Sequence, residues 1–152
     1  MSALSCASGL SVALAALCFS ELWCHITRWH LAPRRAKMWA SHVSGVVTLS
    51  THLDTVPPFI GPTRNGSHLA GRGACDAKGI AAAMMVAAQT LAQEGEQRVD
   101  LLLVVGEEKG SDVALSANLL PQTNSFPING QPTEKHIATG TKATMPVTVL
   151  TY

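Results

Sequence analysis

The sequence predicts an α/β domain built on a largely parallel sheet. Three observations predict it. A β-branched run at residues 46–50 and a near-continuous apolar run at 99–105 flank an Ala- and Met-rich stretch at 77–94. Acidic residues follow both strand-like runs within four positions, Asp54 after the first and Glu107-Glu108 after the second. Strand, helix, strand in that order is the pattern of a parallel unit with a right-handed crossover. The chain has 152 residues, one domain's worth, and its 47% hydrophobic content supplies a core.

Each element has its own signal. Val46-Val-Thr-Leu-Ser50 is rich in β-branched residues and reads as a strand. Pro57-Pro58 and Gly61-Pro62 then enforce an irregular loop. Asn65-Gly66 marks a tight turn, with a short return strand at Leu69-Ala70. Asp76 stands where an acidic N-cap would start a helix over 77–94, and Gly95 stands where glycine stops one. Within that helix Ile80, Met84, Ala87, Ala88 and Leu91 recur at helical spacing, so the methionines read as core. The run at 99–105 suits a strand covered on both faces. A second helix is expected over 111–120, ended by Pro121, with further strands at 125–129, 137–139 and 147–150.

Composition changes near residue 40. All three tryptophans and three of the four cysteines lie before it, and the regular signals lie after it. This places a boundary there, with residues 1–40 as a leader and 41–152 as the domain proper. The apolar run at 9–19 resembles the core of a signal peptide, but no Lys or Arg precedes it. Glu21 interrupts it well short of the ~20 apolar residues of a spanning helix. The expected location is the cytoplasm, with secretion as the alternative if residues 1–24 act as a signal. A net charge of +1 gives no electrostatic case for nucleic acid. No cysteine pair has C-x-x-C spacing, and Cys75 reads as a small buried thiol.

The chemistry lies in three clusters, each placed at a strand end. His52 and Asp54 come first, two residues apart, a spacing that puts side chains on one side of an extended segment. By itself the pair equally describes a surface histidine beside an aspartate. Asp76 follows, in a glycine-rich junction where a helix cap would explain it without a metal. Glu107 and Glu108 come last, and adjacent carboxylates repel unless something positive is present. Gathered at the C-terminal edge of a parallel sheet, imidazole and carboxylates make a site for a divalent ion.

These residues carry a family resemblance. His-Leu-Asp-Thr-Val-Pro at 52–57, Gly-Arg-Gly-Ala-Cys-Asp-Ala-Lys-Gly at 71–79, Gly-Glu-Glu at 106–108, Asn-Gly-Gln-Pro-Thr-Glu at 129–134 and Gly-Thr-Lys at 140–142 are similar to the motifs of the M20 metallopeptidases. That family includes enzymes of the acetylornithine deacetylase, succinyl-diaminopimelate desuccinylase and aminoacylase type. The resemblance implies part of a three-layer, zinc-peptidase-like domain that lacks the dimerisation or lid domain. It implies two zinc ions, with cobalt as the alternative metal. His52 would ligate one zinc, Asp76 would bridge both, and Glu108 would ligate the other. Glu107 would be the general base and Asp54 would orient the site.

The implied reaction is metal-assisted hydrolysis of an amide in an N-acyl amino acid or dipeptide, with neither nucleic acid nor membrane as partner. Gln131 departs from the pattern, because it stands where the family carries an acidic ligand; a neutral amide oxygen binds zinc weakly. The family's late histidine ligand has no match before Tyr152. The resemblance therefore implies a truncated or decayed member, and its alternatives are a non-catalytic remnant that at most holds one ion, or a small α/β binding domain.

Overall fold

The computed structural model describes residues 25–32, 35–41, 45–109, 126–134 and 136–138. Seven strands and one long helix occur among them: β1 (His25–Ala32), β2 (Arg35–Ser41), β3 (Val47–His52), β4 (Thr63–Asn65), β5 (His68–Ala70), α1 (Ile80–Gln93), β6 (Val99–Val104) and β7 (Phe126–Asn129). The second helix, the strand at 147–150, the run at 9–19 and the motif at 140–142 lie outside the described residues. Residues 136–138 adopt no regular structure, so the strand begun at Ile137 does not form there.

The main sheet has the order β1-β2-β6-β3-β7. β3 pairs in parallel with β6, from Val47 opposite Val99 to His52 opposite Val104. β7 pairs in parallel on the other side of β3. β2 joins β6 antiparallel, and β1 joins β2 antiparallel. The sheet is thus mixed: its parallel part is β6-β3-β7, and its antiparallel part comes from residues 25–41. Regular structure therefore begins ahead of residue 40, and the compositional change falls within β2.

β6 is the middle strand, in keeping with its apolar run. Leu101 and Leu103 are among the largest fully buried side chains. α1 crosses β6 and β3. Its buried alanines Ala81 and Ala88 meet Leu101, Leu103, Leu53 and Val105, with Met84 and Met85 half-buried beside them. The buried face is therefore 81, 84, 85 and 88, and Ala87 is exposed. Of the expected face Ala88 is buried and Ile80, Met84 and Leu91 are half-buried, and the helix starts at Ile80, three residues later than expected. Alanine at the contact lets the helix axis approach the sheet closely. Gly95 ends the helix as expected, with φ of 88°.

Two connections position the site. β4 and β5 form the short hairpin expected around Asn65-Gly66. An irregular turn, Ala74–Gly79, leads from β5 to α1, and its Asp76 has an extended backbone (φ −118°, ψ 99°). Asp76 is consequently not the cap of α1; Gly79 holds that position, with no side-chain capping bond.

Candidate metal centre

The C-terminal ends of β3 and β6 lie side by side because the strands run parallel and in register. β3 ends on His52, which is 1% exposed. A buried imidazole must have its nitrogens satisfied. Nδ1 faces the backbone carbonyl of Asp54 at 3.2 Å. The Asp54 carboxylate oxygen Oδ1 is a little farther, at 3.5 Å, and this long approach leaves Oδ1 without a well-formed hydrogen bond. Nε2 faces Oδ1 of Asp76 at 2.9 Å. His52 is thus held from both sides, and it is a buried histidine rather than a surface one.

Asp54 ties the two strand ends together. Its Oδ2 accepts the backbone N–H of Glu108 at 3.1 Å. Leu53, between the two site residues, donates its N–H to the carbonyl of Val104 at 2.9 Å, so the β3–β6 ladder continues past His52. The Asp54 carboxyl lies below its ordinary range: burial raises it, but the His52 side chain and the backbone N–H groups of Glu108 and Gly106 outweigh that.

Glu107 and Glu108 open a short helical turn, Glu107–Lys109, after β6. Oε2 of Glu107 lies 3.9 Å from Nε2 of His52. The Glu108 carboxyl is pushed up by burial first and by the neighbouring Asp76, Glu107 and Asp54 charges next. His52 is pushed up to about 9; the Asp54 side chain is the largest cause, burial opposes it, and Asp76 and Glu107 add to it. Carboxylates held this close around one imidazole call for a cation.

His52, Asp76 and Glu108 each offer a ligand atom, and these atoms all lie within 4.8 Å of one another. Two atoms each about 2 Å from one ion lie at most about 4 Å apart, so these side chains need to close in only slightly to share an ion. One imidazole nitrogen and two carboxylates also form a donor set proper to a divalent transition ion. The buried Nδ1 contact leaves Nε2 as the nitrogen directed at the ion position, and a backbone carbonyl on the other ring nitrogen is the usual way to fix a ligand's tautomer. The residues present fit the ion.

Gln131 is reached differently. The N–H of Gly130 donates to Ser50 at 2.8 Å, and Oγ1 of Thr51 donates to the carbonyl of Gly130 at 3.0 Å. Residue 131 therefore leaves β7 at the same end of the sheet as His52. Cys75, beside Asp76, is an exposed free thiol and not the buried one expected, because the buried place in this turn is taken by Ala77. Sequence reading passed over Lys78, which is half-buried near Asp54 and lowered by that burial. Its only signal was its place in the glycine-rich motif.

Comparison with known proteins adds a family. The profile described as Peptidase family M20/M25/M40 matches residues 48–145. A peptidase M20 domain-containing protein of Schizosaccharomyces pombe is 41% identical over 100 residues, which covers 63% of this chain and 25% of that protein. A probable carboxypeptidase of Aspergillus clavatus is 35% identical over 147 residues, covering 82% of this chain and 32% of its own length. Among solved structures, human carnosine dipeptidase 1 superposes with a TM-score of 0.63 at 19% identity, over 80% of this chain and 32% of that one. Aminopeptidase PepT of Bacillus cereus gives 0.54 at 18% identity, over 77% and 36%. These two likenesses establish a shared fold. The chain spans between a quarter and a third of the curated relatives it matches.

Proposed function

This chain belongs to the M20/M25/M40 peptidase family, and from that premise we propose that it is the metal-holding part of a hydrolase that cleaves the amide bond of N-acyl amino acids or small peptides. The observation that carries the reading is the convergence of His52, Asp76 and Glu108 within 4.8 Å. The relatives' names, carboxypeptidase and dipeptidase, support small peptides as substrates.

His52, Asp76 and Glu108 would hold the metal, zinc or cobalt, with Asp76 shared where two ions bind and Gln131 as a weak neutral donor to the ion of His52. When bound, the metal supplies Lewis acidity that polarises an amide carbonyl and acidifies water. The chain's own groups do the rest. Glu107 accepts a proton from water and delivers it to the departing amine nitrogen. Asp54 holds the imidazole from behind and anchors the Glu108 backbone, so both ligands keep their places. A non-catalytic remnant that holds one ion is the second reading, and Gln131 in place of a carboxylate favours it.

The test is titration of the chain with zinc and with cobalt, beside the His52→Ala variant, with hydrolysis of N-acetylmethionine and of a dipeptide measured on the same samples. The reading expects metal binding that His52→Ala abolishes. Equal binding by both proteins would remove the site, and binding without turnover would favour the remnant.

A further inference from the structure

The chain leaves β7 at Gly130, and two bonds hold that residue to β3. The Gly130 N–H donates to the carbonyl of Ser50 at 2.8 Å, and Oγ1 of Thr51 donates to the Gly130 carbonyl at 3.0 Å. Thr51 is 1% exposed, so losing the second bond would strand a buried hydroxyl. The next residue of β3 is His52. Gly130 is therefore fixed to the strand end that presents the imidazole.

Its other face meets α1. A Cβ built on Gly130 would collide with Cγ2 of Ile80 and lie 2.6 Å from Cε of Met84. The φ of Gly130 lies outside the left-handed region, so the backbone accepts alanine there and only this contact opposes it. Met84 ends in a flexible thioether that can swing aside. Ile80 is β-branched, and in a helix its χ1 is nearly fixed. Ile80 is also the first residue of α1, and the turn Ala74–Gly79 that carries Asp76 runs straight into it. Two turns farther on, Ala88 is held in the core, so the helix yields at its start. A methyl at residue 130 would thus push the start of α1, and the turn with it, away from the sheet.

We propose that Gly130 is a positioning residue of the metal centre: bonded to Ser50 and Thr51 on one side and bare against Ile80 on the other, it sets how closely the start of α1 approaches β3, and so brings Asp76 to His52. The proposal rests on the reading of this site as a metal centre. Carbon atoms in contact stand about 3.5–4.0 Å apart, so relieving the collision takes a shift of roughly 1 Å. A binding constellation tolerates only about 0.5 Å. The Asp76 carboxylate, 2.9 Å from Nε2 of His52, would lose its contact.

The experiment places Gly130→Ala in the full chain and in the Ile80→Ala variant, which removes the side chain it would strike. Zinc affinity is measured by competition with a chelating dye. The Nε2–H resonance of His52, which reports the Asp76 contact, is followed by NMR without metal at one fixed pH. With Ile80 present, Gly130→Ala should cost about 10-fold or more in zinc affinity, as loss of a group that orients ligands does, and should move the Nε2–H resonance. With Ile80→Ala in place, the same substitution should change neither. Parent-like zinc binding in Gly130→Ala would overturn the proposal. So would equal loss in both backgrounds, which would place the effect at Gln131 or in the β7 pairing. Should Gly130→Ala alone fail to fold, the double variant decides: it must bind zinc as Ile80→Ala does, and weaker binding overturns the proposal. If the parent chain binds no zinc, the metal reading fails by itself. The Nε2–H resonance then decides the role of Gly130, and an unmoved resonance in Gly130→Ala would refute it.

Discussion

Nε2 of His52 lies 2.9 Å from Oδ1 of Asp76, across 24 residues of sequence. With Nδ1 committed to the Asp54 carbonyl, a neutral imidazole would set a bare nitrogen lone pair against a carboxylate. The contact is favourable only when a proton or a metal ion lies between the two groups. Proton and metal therefore compete for one place, and this competition gives the site its first measurable property.

Without metal, His52 keeps its proton up to about pH 9. Its pKa is raised above the unfolded value of 6.5. The stability this provides is fully present below pH 6.5 and is lost as pH rises through about 9. Denaturant unfolding in the presence of a chelator should show the midpoint falling across that window. Zinc affinity should move oppositely and strengthen as pH rises toward 9, since the ion must displace the proton. A flat stability profile from pH 6 to 10 in His52→Gln, measured in ~0.1 M salt, would identify the histidine as the source.

Asp76→Asn preserves the shape of the side chain and removes its charge. It should weaken zinc binding by more than the ~10–100-fold that loss of an orienting partner costs, because here a direct ligand is lost. It should also lower the His52 pKa, because Asp76 is one of the groups that raise it. Calorimetric zinc titration and the histidine ring resonances in NMR would read the two effects separately.

Glu107→Gln separates proton transfer from metal holding. Glu107 is not one of the three residues whose ligand atoms all lie within 4.8 Å of one another, although its Oε2 is 3.9 Å from Nε2 of His52. Zinc affinity should stay near that of the parent, while any turnover of N-acetylmethionine or a dipeptide should fall by roughly 10²–10⁴-fold, the usual contribution of a general base. Parallel loss of binding and turnover would make Glu107 a ligand instead.

Gln131→Glu should strengthen binding at the ion of His52, because it restores a charged oxygen on a residue carried out of β7 at the same end of the sheet. Competition with a chelating dye would measure the gain. No gain would place residue 131 outside the site.

Leu103→Ala tests what holds the strand ends in place. Leu103 is 0% exposed on the central strand, and its truncation should cost about 2–5 kcal/mol. Urea unfolding would measure it. Zinc affinity of the folded fraction should be retained, since the change lies in the core and not among the ligands.

Much of this was legible in the sequence. β3, β6, β7, the hairpin and α1 each carried a local signal, and a local signal is sufficient where β-branched runs, Asn-Gly turns and a glycine stop determine backbone conformation within a few residues. The position of His52, Asp54, Glu107 and Glu108 at strand ends was legible for the same reason. Two parallel strands in register then have no choice but to bring those ends together.

The rest depended on contacts that no local window contains. Asp76 looked like a helix cap, and only packing of the turn against β3 made it a partner of His52. Glu108 meets Asp54 across 54 residues, and Gly130 meets Thr51 across 79. The addition of residues 25–41 as an antiparallel pair on β6 was hidden because edge pairing depends on which neighbour is available, not on the strand's own pattern. Lys78 was hidden because a lysine in a motif does not reveal where its ammonium lies. The sequence by itself determined which strands form and which imidazole and carboxylates stand at their ends. Tertiary structure alone decided their distances, since these depend on register and on the turn's path, and both are set by burial of side chains far apart in the chain.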